Sequence, residues 1–185
     1  PARPSSDREA SAARSQARND GVTPLMVACQ NHRLGCAQLL LDAGAAVDQA
    51  DKFCATPLFA ASREGHVECA QLLLEASASV SQARNDGVTP LFIACRQGHL
   101  DIVRLLLETG AAKDQAQTQG ATPLSIACHN GHLEVAKLLS SYGASRAATP
   151  FGTPEEAANR KGHADLAAWL VASRGWTPLA HLESL

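Results

Sequence analysis

A short motif that returns at a fixed interval constrains the fold of this chain more than any other feature. Thr-Pro-Leu begins at residues 23, 56, 89 and 122, so each copy starts 33 residues after the one before it. A fixed period of this length is typical of an array in which one structural unit is repeated and stacked. The threonine side chain can accept from free N–H groups at the start of a helix, and proline fits the first helical turn. Each motif therefore predicts the start of a helix.

Two helices are predicted in each copy, as the third copy illustrates. A first helix is expected from Pro90 to Gln97, ending at Gly98, because glycine readily adopts the left-handed conformation that ends helices. A second helix is expected from Leu100 to Glu108, where apolar residues form a wide stripe. Neither helix can bury its apolar side alone, so neighbouring copies are expected to stack.

These residues resemble the ankyrin-repeat family, which has a 33-residue period and a Thr-Pro-Leu-His-x-Ala pattern. The resemblance covers roughly residues 15–174. It implies an all-α solenoid of stacked helix-turn-helix units, with hairpin-like loops that project to one side and protein binding on the concave face. The matching elements, besides Thr-Pro-Leu, are the alanines at 28, 61, 94 and 127 and the Gly-His pairs at 65–66, 98–99, 131–132 and 162–163.

The chain departs from the family pattern at several positions. The histidine after Thr-Pro-Leu is absent, and we expect apolar packing to replace its polar bonds. In the first copy, His32-Arg33 stands where the others have Gly-His. In the fifth copy Glu155 replaces the leucine, and we expect it to face solvent at the end of the array. The residues that replace the family's histidine are Met26, Phe59, Phe92 and Ser125.

The periodicity divides the chain into three parts. Residues 1–14 are predicted to be a flexible leader, because they contain almost no large apolar side chain. Residues 15–174 form the ankyrin array. Residues 175–185 are either a cap anchored by Trp176 or the start of a truncated repeat. The five repeats are predicted at about 18–50, 51–83, 84–116, 117–147 and 148–174.

The six cysteines are predicted to be small buried thiols in a reducing compartment. No Cys-x-x-Cys pair is present. Equivalent positions of stacked helices lie ~8–10 Å apart, beyond the ~7 Å between Cα atoms that a disulfide allows. A disulfide or metal site is the weaker alternative. We therefore expect an intracellular protein, either cytoplasmic or nuclear.

No constellation of residues predicts catalysis. The histidines of the Gly-His pairs are expected to cap or pack the turn between helices, and no serine or glycine motif typical of a nucleophile or a phosphate site is present. The net charge is −2, which does not attract nucleic acid, and no apolar run could span a membrane. We expect a monomer that is not an enzyme and has no cofactor, metal or small-molecule substrate.

The candidate binding residues come from two sets of positions that, in the family, line the concave face. The first set lies at the loop tips: Asn19, Asp20, Lys52, Phe53, Asn85, Asp86, Thr118 and Gln119. The second set lies at the ends of the first helices: Arg63, Glu64, Arg96, Gln97, His129, Asn130, Arg160 and Lys161. We call both sets together the ladder surface.

The chemistry of the ladder surface predicts a protein partner with an acidic and partly apolar surface. One row reads Gln30, Arg63, Arg96, His129, Arg160, which is basic or neutral throughout. Phe53 is the one large apolar residue at a tip, and aromatic and arginine side chains are common interface hot spots. Two alternatives remain open: the arginines are only a solvated face, or Phe53 folds down onto its neighbours.

We expect this binding module to be free-standing or the targeting part of a larger scaffold or adaptor. An alternative function is a structural spacer within a longer repeat protein, with no partner of its own. The first and third loop tips both read Arg-Asn-Asp-Gly-Val, as duplication without specialisation would leave them. Nucleic-acid binding through the arginines is a distant third hypothesis, because aromatic residues for base stacking are nearly absent.

Overall fold

The computed structural model describes residues 17–175, and within them the fold is an all-α solenoid of five helix pairs, as predicted. The bounds that the sequence predicts for the two helices of the third copy, Pro90–Gln97 and Leu100–Glu108, agree with the observed ones. The leader at 1–14, Trp176 and the rest of the C-terminal segment lie outside the described residues. The helices are α1 (Pro24–Gln30), α2 (Leu34–Asp42), α3 (Pro57–Glu64), α4 (Val67–Glu75), α5 (Pro90–Gln97), α6 (Leu100–Glu108), α7 (Pro123–Asn130), α8 (Leu133–Ser141), α9 (Pro154–Arg160) and α10 (Ala164–Ala172).

The first helix of each pair begins at the Thr-Pro step, as the motif predicts. In all five repeats the threonine hydroxyl accepts from the backbone N–H three residues later. Thr122 and Thr153 form complete capping boxes, because the side chains of Ser125 and Glu156 bond back to the threonine N–H groups. The start of each first helix is therefore encoded locally.

The first helices end on a left-handed residue in the second, third and fourth repeats. Gly65, Gly98 and Gly131 hold φ angles of 81°, 80° and 79°. In the first repeat His32 occupies this place with a φ of 53°. Two other residues at glycine positions, Cys54 and Ser77, are also left-handed. The repeat geometry therefore overrides the steric preference of these side chains.

The core runs without interruption through the stack. First helices pack against first helices of the next repeat, and second helices of the first four repeats pack in the same way. Leucines at equivalent positions of the first helices and of the second helices have no exposed surface: Leu58, Leu124, Leu73, Leu106 and Leu139. Each repeat thus covers the apolar side of its neighbour.

The apolar residues that replace the family's histidine are buried in apolar packing, as predicted. Met26 and Phe59 form a small second cluster with Ala55 and Ile93. Phe92 is also buried. Ser125 differs, because its hydroxyl accepts from the Thr122 N–H at 2.8 Å and completes the capping box.

Two expectations from the sequence are wrong. The side chain of Glu155 does not face solvent: it is only 12% exposed and lies 3.4 Å from Arg174 Nε. The cysteines are not all buried, since Cys36 and Cys54 are exposed while the other four are buried. Cys54 lies in a projecting loop, and Cys36 lies at the N-terminal edge, where no described repeat covers it.

Candidate partner-binding surface

Backbone hydrogen bonds join the projecting loops of the first four repeats at their tips. In each case an N–H of one loop donates to a carbonyl of the loop before it. These backbone bonds fix the spacing of the tips, and the Asn85 side chain adds a bond to the Lys52 carbonyl at 3.3 Å. The bonds are Lys52 N–H to Asp20 O at 3.0 Å, Asn85 N–H to Phe53 O at 3.0 Å, and Thr118 N–H to Asp86 O at 2.9 Å.

The ends of the first helices are joined by a second series of bonds, made by the histidines of the Gly-His pairs. Because a carbonyl can only accept, Nε2 must be the protonated ring nitrogen that donates. Each imidazole thereby links a helix end to the next repeat, which sequence reasoning missed: it expected a role within the turn. The acceptors, with their donors in brackets, are Gln30 O (His66, 3.2 Å), Arg63 O (His99, 3.0 Å), Arg96 O (His132, 3.1 Å) and His129 O (His163, 3.1 Å).

All sixteen residues of the predicted ladder surface reach solvent. Twelve are exposed, and Asp20, Arg63, His129 and Asn130 are half-buried. The loop tips and helix ends are therefore available to a partner and held in place by the two series of bonds.

Phe53 presents an apolar face between two cations at the second loop tip. Its side chain is 51% exposed. Lys52 Nζ lies 4.9 Å from the ring centroid and the Arg84 guanidinium carbon 5.8 Å from it. Arg84 also lies over the buried ring of Phe59 at 5.3 Å and pairs with Asp86 at 3.3 Å. Phe53 thus contacts its neighbours and still leaves half of its surface to solvent.

Arg84 is the residue that sequence reasoning missed at this tip. It starts the Arg-Asn-Asp-Gly-Val segment that also begins at Arg18. Residues 85 and 86 were included in the predicted surface, but the arginine before them was not. The copied segment was the signal that could have found it.

The cations of the predicted basic row differ in their availability. Arg63 Nε donates to Glu64 at 2.8 Å, and Arg160 donates to the Phe151 carbonyl at 3.0 Å. For Arg96 and Lys161, no ion pair is found within residues 17–175. Because a carbonyl does not neutralise a guanidinium, the positive charge that no carboxylate of residues 17–175 pairs with lies, along the helix ends, at Arg96, Arg160 and Lys161.

His129 lies between Arg96 and Arg160 in the predicted basic row, and its surroundings keep its imidazole neutral. Burial lowers the pKa of His129, and the nearby cations Lys161 and Arg160 lower it further. At neutral pH it is therefore a hydrogen-bonding group rather than a cation. The predicted row is basic at its arginines but not at this position.

A groove of about 440 Å³ lies beside the third and fourth loop tips. Four of its lining residues belong to the predicted surface at the tips, and Arg96 lies at the helix side. Sequence reasoning missed three others, because they become neighbours only when the loops pack side by side: Val88, Phe92 and Gln117.

Comparison with known proteins places the chain in a family. The family model described as "Ankyrin repeats (3 copies)" matches residues 8–84 and 77–150, which together cover most of the chain. The chain belongs to the ankyrin-repeat family. Ankyrin repeats are in general protein–protein interaction modules without catalytic activity. No curated protein matches the chain.

The ankyrin array offers no sign of another kind of site in its described part. Residues 17–175 contain no group of three or more His, Cys, Asp or Glu side chains that could hold a metal ion. Over the same residues, none of the helices has the length and apolar character to cross a bilayer.

Proposed function

We propose that this ankyrin array binds a partner protein on its ladder surface, which in the family is the concave face. The observation that carries the proposal is the exposed Phe53 ring between Lys52 and Arg84. An aromatic side chain half in solvent and surrounded by cations fits an apolar residue flanked by carboxylates. The partner we propose therefore presents an acidic and partly apolar segment.

Charge along the surface supports the same partner chemistry. Arg96 and Lys161 are exposed and can pair with carboxylates of the partner. The groove beside the third and fourth tips is lined by amide side chains and by the apolar side chains of Val88 and Phe92. A segment lying across the tips from Phe53 toward Lys161 would pair with these groups in turn.

Rigidity of the surface favours binding as well. The tips and the helix ends are cross-linked by hydrogen bonds from repeat to repeat. Association then requires little ordering of the array, and this reduces the free-energy cost of binding. We expect a rigid, monomeric array that changes little in shape when its partner binds.

The six free thiols support an intracellular location, cytoplasmic or nuclear, as part of the proposal. Disulfides persist in oxidising compartments and are rare where glutathione and thioredoxin keep thiols reduced.

A matched pair of double variants tests the proposal. Phe53→Ala with Arg96→Glu changes the ladder surface, whereas Leu39→Ala with Arg104→Glu makes similar changes at exposed positions of second helices. The parent and the two variants are each immobilised on a matrix and exposed to cell lysate, and bound proteins are cross-linked to them. Quantitative mass spectrometry compares the proteins captured by the parent, by each variant and by the bare matrix. Equal melting temperatures establish that the variants are folded.

We expect a partner held by the parent and by the second-helix variant to be lost from the ladder variant. Its cross-linked peptides should be rich in Asp and Glu. Retention by both variants would place binding elsewhere and refute the proposal. If the parent holds no protein above the matrix, the spacer hypothesis is preferred.

A further inference from the structure

The N-terminal edge of the array exposes a face whose equivalent positions in the later repeats are buried, apart from the half-buried Ile126. Cys36 on α2 is exposed. The residues at the same position in the next four repeats are at most 2% exposed: Cys69, Ile102, Val135 and Leu166. Val27 on α1 is 40% exposed, whereas its equivalents Ala60 and Ile93 are 5% exposed. The residues of this face are therefore those of an interior repeat.

A groove of about 490 Å³ lies along this edge. Its walls are mainly apolar and come from both helices of the first repeat and the loop before them. The apolar residues that line it are Val22, Pro24, Val27, Ala28, Cys36 and Leu40. Elsewhere in the array the same space is filled by the preceding helix pair, since the equivalents of Leu40 are fully buried.

The sequence before the first repeat is that of a connection that follows a helix pair. Residues 9–25 repeat residues 75–91 with differences only at positions 13 and 14. In the described part of the chain, residues 75–91 lead from the last residue of α4 to the first turn of α5. Residues 1–8 do not repeat the apolar pattern of residues 67–74, so the copied sequence begins only at residue 9.

A polar contact at the interior junctions agrees with this interpretation. In later repeats, a loop N–H donates to a side chain of the repeat before it. The Ser79 N–H donates to the Asp48 carboxylate at 3.0 Å, and the Ala112 N–H donates to the Ser81 hydroxyl at 3.1 Å. The same spacing of 31 residues, counted back from position 46 of the first repeat, falls on position 15, which is a serine.

We propose that the N-terminal edge is a stacking face for one further ankyrin-type helix pair, joined to the array in the same polypeptide ahead of residue 9. The occupant has the small and aliphatic apolar surface with which each interior repeat covers its successor. This surface is distinct from the ladder surface and does not depend on it.

Two chimeras of the full chain test the proposal. In the first, a copy of residues 84–107 replaces residues 1–8, so that Leu107 precedes Glu9 as Leu74 precedes Glu75. In the second, the same copy stands before residue 1 and residues 1–8 are kept. The copy carries Cys95→Ala, so that no thiol is added. Reaction of Cys36 with a thiol reagent is followed, with the exposed Cys54 as the internal reference.

In the parent, Cys36 should react about as fast as Cys54. In both chimeras we expect the rate at Cys36 to fall at least about tenfold, with Cys54 unchanged and the melting temperature raised by roughly 5 °C or more. Val27→Glu should have little effect on the melting temperature of the parent and should remove most of the gain in the chimeras.

Unprotected Cys36 in both chimeras, or a gain that Val27→Glu leaves intact, would overturn the proposal. So would a parent in which Cys36 is already protected. In that case sedimentation separates the two causes: a monomer indicates coverage by residues 1–16, and a dimer indicates coverage by a second copy.

Discussion

The imidazole of His99 lies against the backbone of Gly65 in the preceding repeat. A β-carbon placed on Gly65 would lie 2.8 Å from Nδ1 and 2.9 Å from Cε1 of that ring. On its other side, His99 donates from Nε2 to the Arg63 carbonyl at 3.0 Å. A glycine and a histidine that are adjacent in the sequence therefore contact different neighbouring repeats. Gly65 makes room for the following repeat, and His66 bonds to the preceding one.

Replacing Gly65 with alanine is expected to destabilise the array by about 2–3 kcal/mol. Its φ of 81° is unfavourable for alanine, which costs roughly 1–2 kcal/mol, and the new methyl group displaces the His99 ring. Urea unfolding followed by circular dichroism measures the loss.

Gly110→Ala is the matched control, because Gly110 has a φ of 87° and nothing lies within 4 Å of the place that an alanine methyl group would take. It should cost only the backbone term, about 1–2 kcal/mol. In a His99→Ala background, Gly65→Ala should cost no more than Gly110→Ala. If the two glycine variants lose the same free energy of unfolding relative to the parent, the contact with His99 adds nothing to the cost of Gly65→Ala.

Replacing Ser62 with alanine is expected to stabilise the array by about 1 kcal/mol. Ser62 is fully buried and its hydroxyl has no hydrogen-bond partner. Folding therefore removes the hydrogen bonds of this hydroxyl to water and puts no other hydrogen bond in their place. The equivalent positions hold buried cysteines. The midpoint of urea unfolding should rise. Ser141→Ala, which removes a hydroxyl that donates to the Leu138 carbonyl at 2.7 Å, should not raise it. A lower midpoint for Ser62→Ala would show that its hydroxyl has a partner in solution.

The features that the sequence predicts well are those set within one repeat. Thr89 and Pro90 fix the start of α5, and Gly98 ends it, because capping and left-handed glycine need only nearby residues. The residues of the candidate surface can be chosen by aligning the repeats, because loop tips and helix ends recur at the same positions of each repeat.

The features that the sequence does not predict arise between repeats or between distant parts of one repeat. Arg84 contacts Phe53 from the next loop, and Glu155 is covered by Arg174 from the end of the second helix. The role of His99 depends on a glycine 34 residues away. Packing between segments far apart in the sequence sets each of these contacts, so the residues beside each side chain in the sequence do not specify its partner.

Replacing Cys54 with glycine is expected to stabilise the array by about 1 kcal/mol. Cys54 has a φ of 62°, where its equivalents Gly21 and Gly87 have φ angles of 83° and 78°. Glycine adopts this conformation without the steric cost that a β-carbon brings. The reverse change at an equivalent position, Gly87→Cys, should destabilise, since its β-carbon would lie 2.9 Å from the Thr118 nitrogen. Differential scanning calorimetry compares the two, and a lower melting temperature for Cys54→Gly would refute the strain at this residue.

Lowering the pH from about 7.5 to 5.5 is expected to destabilise the array partly through His129. Its pKa is lowered in the folded state by burial and by Lys161, Arg160 and His163. Above the ordinary histidine pKa of about 6.5 both states are neutral, and His129 has no effect on stability. Below it the unfolded chain binds a proton more readily than the folded one, so the free energy of unfolding falls. His129→Gln should therefore reduce the shift in urea midpoint between the two pH values, and Lys161→Gln should reduce it in part. A shift of the same size in all three proteins would mean that other groups account for the pH dependence.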